Sequence, residues 1–177
     1  MGFDVHGLNP QMNTKMGETY EKYNPMDWKE RQEAFENEEG LEKKYWDEQD
    51  KYQEDNCGVY FRNNCWWWRP LWNFICENCD DILSEEQMES GNYNDGVEIT
   101  DKQAKTIGER IEKLDKSGVL LEYEVSYEAA RLEAEKNNEG KKSSDDGYNW
   151  ASSYPYNADN VRQFGKFATQ SGGFEIW

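Results

Sequence analysis

The sequence predicts a mainly α fold of the α+β class: a single compact domain of about five or six helices, two or three short strands and an acidic helical insertion. Three observations predict it. Apolar residues recur at helical spacing behind capping signals over much of the second half of the chain. Strand-like stretches are short and confined to residues 2–6, 58–62 and 174–177. Residues 17–56 carry 14 carboxylates against 6 bases, which sets them apart from the aromatic segment that follows.

Taken in order, residues 1–24 read as an extended or irregular arm. Asn24-Pro25 then has the form of a helix start, with Asn as cap and Pro in the first turn. Trp28, Phe35, Leu41, Tyr45 and Tyr52 supply an apolar face up to about residue 55, and Gly40 is placed to kink or split the segment. Residues 18–56 therefore read as an acidic outer element whose polar face is solvated. Pro70 suits the first turn of a helix running to about Leu83, with Leu71, Ile75, Cys79 and Leu83 as its buried stripe and Trp72 and Cys76 widening it. Ser84-x-x-Gln87 is a capping box for a short helix ended by Gly91. Thr100 and Gln103 form a second box ahead of Ala104, Ile107, Ile111 and Leu114. A helix over about 120–136 follows, with Leu120, Tyr123, Tyr127, Ala130 and Ala134 on one face. Residues 137–153 read as a mobile loop. Asn157 caps a last helix bearing Val161, Phe164, Phe167 and Ala168, and Phe174 to Trp177 is placed to pair as a strand.

Composition restricts function. The 177 residues carry a formal net charge of −17, from 20 Lys+Arg against 37 Asp+Glu. Such a charge disfavours direct binding to nucleic acid or to an anionic membrane. Hydrophobic content is only 36%, but 15% of residues are aromatic, and large rings bury area that aliphatic side chains do not supply here. No run approaches the ~20 apolar residues of a membrane span. The opening "MGFDVHGLNP" has neither the basic nor the apolar region of a secretory signal. A cytoplasmic protein with reduced cysteines is expected, in the host cytoplasm if the source is viral.

The segment "VYFRNNCWWWRPLWNFIC" at 59–76 stands out against that background. It holds four of the 8 Trp and two Arg, and no carboxylate. Three consecutive Trp cannot share one face of a helix or strand, so at least one ring must point away from the core. Two readings follow. The rings pack the acidic helices onto the core, with Arg62 and Arg69 paired to Asp80 or Asp81; or Arg62, Asn63, Asn64, Trp66, Trp67, Trp68 and Arg69 line a ligand site. In the second, ring faces stack on a base or sugar, Arg holds phosphate or carboxylate, and Asn amides read polar edges.

Chemistry-bearing motifs are otherwise sparse. His6 is the sole His, so Ser-His-Asp and Cys-His arrangements lack a well-placed base. Walker A, GxGxxG, HExxH and GxSxG patterns are absent from the sequence. The four cysteines, Cys57, Cys65, Cys76 and Cys79, include one C-x-x-C pair, which admits structural zinc, a redox pair or buried free thiols. Buried thiols are favoured over metal ligands, no cofactor is expected, and a non-enzymatic protein is expected.

The runs "GVYFRNNCWWWRPLWNFICENCDDIL", "SGNYNDGVEIT" and "YPYNADNVRQFGKFATQSGGFEIW" resemble a family of small proteins from bacteriophage and environmental viral sequences with a FRNN-x-WWWRPLWN core. The resemblance covers residues 1–10 and 58–177, implies that the acidic helical segment 18–56 is an insertion, and carries no catalytic residues. Where relatives have a Cys-rich, zinc-knuckle-like insertion near 137–150, this chain has "NNEGKKSSDDGYNW", without Cys. A phage origin implies an accessory, anti-defence protein that binds a host defence protein or its small-molecule signal, a nucleotide in the leading form. The alternatives are an acidic protein-protein inhibitor or DNA mimic of a host factor, and a virion or assembly protein; a homo-oligomer is compatible with each.

Overall fold

Alternation in the first residues builds the strand expected at 2–6, and it lies inside the sheet. In the computed structural model, which describes residues 2–177, β1 (Gly2–Gly7) buries Phe3 and Val5 on one face and turns Asp4 and His6 to the other. It lies between β2 (Tyr60–Asn64) and β4 (Gly173–Ile176), and β3 (Val97–Thr100) pairs with β4. All pairings are antiparallel, in the order β2-β1-β4-β3. The registers Val5↔Phe61, Val5↔Ile176 and Ile99↔Phe174 align these side chains into one apolar face for the helices to cover. The last residue closes the arrangement, because the amides and carbonyls of Asp4 and Trp177 exchange hydrogen bonds.

The α+β class holds, with more elements than the sequence suggests. Among the described residues there are eight α-helices, where five or six are expected, and four strands, where two or three are. In the acidic segment, α1 (Glu18–Tyr23) forms within the expected arm. Next, α2 (Trp28–Asn37) starts at Asp27 and not at Asn24, because the Asp27 carboxylate accepts from the Lys29 and Glu30 amides. The chain then breaks before α3 (Leu41–Asp55), where Gly40 takes φ 81. These three helices enclose a small core of their own from Tyr20, Tyr23, Phe35, Leu41, Tyr45 and Tyr52. Trp28, expected on that face, is exposed. Buried Asn56 ties the lobe's base to the body: its Oδ1 accepts from the amides of Asn13 (2.6 Å) and Thr14 (3.0 Å).

The aromatic segment differs in start and end from the sequence reading. Helix α4 (Cys65–Asn78) begins five residues before Pro70, because Asn64 ends β2 and accepts from the Trp66 and Trp67 amides as cap. Pro70 sits inside the helix, where it lacks the N–H that would close on the Trp66 carbonyl. Cys79 and Leu83 still reach the core, but from the turn beyond the helix. Within that core Trp68 stacks between Phe3 (centroids 5.1 Å) and Trp72 (5.5 Å). The two indole N–H groups donate to the carbonyls of Gly91 (2.8 Å) and Met88 (3.0 Å), at the end of the capped helix α5 (Glu85–Ser90). A side chain as large as Trp contributes ~3–5 kcal/mol when buried this way.

Helix α6 (Asp101–Lys116) and helix α8 (Ala158–Gln170) begin at the expected caps, Thr100 and Asn157. They cross at Gly108 and Gly165, both buried, and both help to cover the sheet. Between them runs α7 (Val119–Asn137), which leads into a 3-10 turn at Trp150–Ser153. No helix among the described residues is long and apolar enough to cross a membrane.

The crossing makes a test of steric against intrinsic effects. In an ordinary helix, Gly→Ala gains ~1 kcal/mol. A Cβ on Gly108 would stand 2.1 Å from Thr169 Oγ1 and 2.8 Å from the Gly165 carbonyl oxygen. Overpacking of this kind costs ~1–3 kcal/mol and outweighs propensity. Gly108→Ala is expected to lower the thermal midpoint by about 2–6 °C in a calorimetric scan; an unchanged or raised midpoint contradicts the close crossing.

Candidate functional site

Strand alternation decides which of the sequence-selected residues can meet. Along β2, Phe61 and Asn63 face the helices, whereas Arg62 faces the opposite side of the sheet. There Arg62 pairs with Asp4 across the register (Nε–Oδ1 3.4 Å), and Tyr60 donates to the same carboxylate. Asn63 Nδ2 donates to Asn160 Oδ1 at 3.0 Å, and the Asn64 side chain is spent on capping α4. Trp68 is fully buried, and Trp67 is exposed on α4 away from any concave wall described below. The expected partners for the arginines are also different: Asp81 holds Arg110 through two hydrogen bonds of 3.0 and 2.9 Å.

Trp66 and Arg69 remain, and the fold adds a second wall to them. Trp66, Arg69, Pro70 and Asn73 lie at i, i+3, i+4 and i+7, hence on one face of α4. Opposite stand Tyr127 of α7, Trp150 and Ala151 of the 3-10 turn and Tyr154 just after it, enclosing an open cleft of about 680 Å³. The Trp66 and Tyr154 rings are 5.0 Å apart, and the Arg69 guanidinium lies 5.8 Å from the Tyr154 ring centre. Arg69 has no ion pair among the described residues, and no Asp or Glu lines the cleft. The groove between α6 and α8, by contrast, mixes charges, with Glu109, Glu112 and Asp115 facing Arg162 and Lys166. In a chain of net charge −17, this cleft is cationic.

The second wall is held in place by polar clamps. Buried Asn138, just past α7, donates to the Asn149 carbonyl and Ser152 Oγ, both at 2.9 Å, and accepts from the Asn149 amide at 2.8 Å. Arg131 donates to the Ser152 carbonyl at 3.0 Å while Glu128 grips its other edge at 2.8 Å twice. The Arg131 guanidinium holds the Glu128 carboxyl below its ordinary range. Beneath the cleft, Tyr123, Tyr127 and Tyr156 pack ring to ring, with centroids 4.8–5.9 Å apart. Residues 137–153, read from the sequence as a loop, thus supply Trp150 and Ala151 to the second wall, and Tyr154 follows directly. The signal for it was the run "YNWASSYPY" at 148–156, whose four aromatic residues are unusual for a loop.

Chemically the cleft offers ring faces, one unpaired guanidinium with its fork of donors and the Asn73 amide. That set suits a planar, anionic ligand and contains no nucleophile–base pair. The cysteines lie elsewhere. Cys79 is in the core, Cys65 and Cys76 pack against it, and all four are free. Burial pushes the Cys76 thiol up to about 12 and that of Cys79 up to about 11. Among the described residues, no three His, Cys, Asp or Glu side chains come together as a metal-holding group. No family model matches the chain, and no curated protein or solved structure is significantly similar to it.

The tyrosine layer gives the site a pH limit. Burial first, and Glu77 beside it second, pushes Tyr123 up to about 12; burial raises Tyr127 and Tyr156 as well. A raised phenol favours the protonated, folded form, so its stabilisation is complete below the unfolded value near 10 and is lost as pH climbs through about 12. Ultraviolet titration of phenolate is expected to show a fraction of the 11 Tyr ionising only together with loss of near-ultraviolet circular dichroism above pH 11. Ionisation of every Tyr near pH 10 with the fold intact contradicts the buried layer.

Proposed function

We propose that the protein is a non-enzymatic binder that captures a planar, anionic small molecule of nucleotide type in the cleft between α4 and the 3-10 turn. One observation carries this reading: four aromatic side chains from three elements converge around Arg69, a cation without an ion-pair partner among the described residues, on walls free of carboxylate. Base stacking on Trp66 or Trp150 contributes ~1–3 kcal/mol per ring, and a guanidinium fork takes a phosphate or carboxylate. The acidity of the remaining surface repels polyanions, which favours a small ligand over a nucleic acid strand. Joined to the resemblance to phage proteins, this supports the role of an anti-defence accessory that sequesters a nucleotide signal of host immunity.

A second reading, an acidic inhibitor of a basic host factor, is favoured by one feature. The α1–α3 lobe has its own aromatic core and carries exposed Trp28. Removal of residues 18–56 spares a function seated in the cleft and abolishes one seated in the lobe.

Isothermal titration against a panel of cyclic and ADP-ribose-derived nucleotides tests the proposal. At least one compound is expected to bind, with Trp66→Ala and Arg69→Ala each weakening it by about 10- to 100-fold and Trp67→Ala leaving it unchanged. Absence of binding across the panel, or equal binding by Trp66→Ala, contradicts it.

A further inference from the structure

Helix α7 is apolar on two sides. Its inner side packs Leu120, Tyr123, Tyr127 and Ala134 against the body. On its outer side Leu121, Val125, Ala129 and Leu132 are exposed, Leu121 by 51%, Val125 by 72% and Leu132 by 43%. With ~100° between successive residues, these four fall in a sector about 80° wide, a continuous stripe and not scattered side chains. Amphipathic helices normally present polar residues there, so the stripe has the form of a seam without its partner.

The borders of the stripe specify that partner. Glu124, Glu128 and Glu135 flank it on one side and Glu122 and Glu133 on the other. Glu128 and Glu135 share Arg131, which turns inward to the Ser152 carbonyl, and Glu124 leans toward the start of α8. Glu122 and Glu133 have no cation within ion-pair reach among the described residues. Lys136, at the C-terminal end, is the one base that faces the stripe. A second copy of the chain would set two such rows of carboxylates, and two molecules of net charge −17, against each other.

We propose that the outer face of α7 docks a basic amphipathic helix of a partner protein: an apolar face of Leu or Ile laid on Leu121, Val125, Ala129 and Leu132, with Lys or Arg on both flanks meeting the glutamates. The mode is helix against helix, where apolar positions give affinity and flanking charges choose the partner. The stripe lies on the side of α7 away from Tyr127, which lines the cleft, so the two surfaces take different partners.

The probe is a synthetic helix of about three heptads with Leu at the seam and Lys on the flanks, beside a second peptide with Glu on the flanks. Titration of the whole protein is expected to show binding of the Lys peptide alone. Val125→Glu, at the most exposed position of the stripe, is expected to weaken that binding at least about tenfold without changing the thermal midpoint. The substitution adds negative charge, so unchanged or tighter binding would show a merely electrostatic attraction and overturn the proposal. Equal binding of both peptides overturns it as well. So does a wild-type dimer in sedimentation equilibrium that Val125→Glu dissolves, since the stripe would then be a seam between copies.

Discussion

The stack Phe3–Trp68–Trp72 is the constraint on which the rest of the molecule depends. Two buried indoles must each place an N–H against an acceptor, and leaving one unmatched costs ~1–3 kcal/mol. The acceptors here are the carbonyls of Gly91 and Met88. Meeting both fixes the rotation of α4 about its axis and docks α5 and its following loop at one position. Gly91 is required at that contact: a Cβ on it would lie 2.2 Å from the Trp72 ring. Once Trp68 and Trp72 point inward, Trp66, about 200° away from Trp68 around the helix, has to point out. The cleft face of Trp66, Arg69 and Asn73 is therefore a consequence of core packing.

Charge is distributed in a way that serves the same division. Carboxylates crowd the α1–α3 lobe and the outer flanks of α7, where they repel polyanions. The arginines met along the fold are mostly committed to carboxylates: Arg62 to Asp4, Arg110 to Asp81, Arg131 to Glu128 and Arg162 to Asp115. Arg31 and Arg69 form no ion pair among the described residues; Arg31 is spent on the Tyr45 hydroxyl and the Met26 carbonyl inside the acidic lobe, and Arg69 is held over the Tyr154 ring. A guanidinium kept from carboxylates on an aromatic wall has its charge available for a ligand. Contributions from the exposed ion pairs to stability are small, and the fold stands on its rings.

Much of the fold was legible because several signals agreed with one another. Capping boxes at Ser84 and Thr100, the cap at Asn157 and the helical spacing of α6 and α8 all lie where local chemistry and burial coincide. Elements whose identity depends on distant partners were not legible. The strand β3 has four residues and gains its pairing only from the C-terminal β4. The start of α4 at Asn64 is hidden because Pro70 advertises a later first turn. Trp28 fits the apolar spacing of the acidic lobe but overshoots the small core that forms there. For the cleft, Trp66 and Arg69 were visible as an aromatic and a cation in an acidic chain. Trp150 and Tyr154 stood out only as rings in a loop-like run, and their approach to Trp66, like that of Tyr127, comes by tertiary packing alone. The outer stripe of α7 escaped because apolar residues on two faces blur the helical period.

Nuclear magnetic resonance of the 8 tryptophan indole N–H groups tests the central claim most directly, that core packing of α4 forces Trp66 into a ligand cleft. The indole protons of Trp68 and Trp72 are expected to exchange with solvent orders of magnitude more slowly than the others, and addition of ADP-ribose or a cyclic nucleotide is expected to shift the resonances of Trp66 and Trp150 while leaving Trp28 and Trp46 in place. Fast exchange at Trp68 and Trp72, or shifts confined to Trp28 and Trp46, would contradict the account.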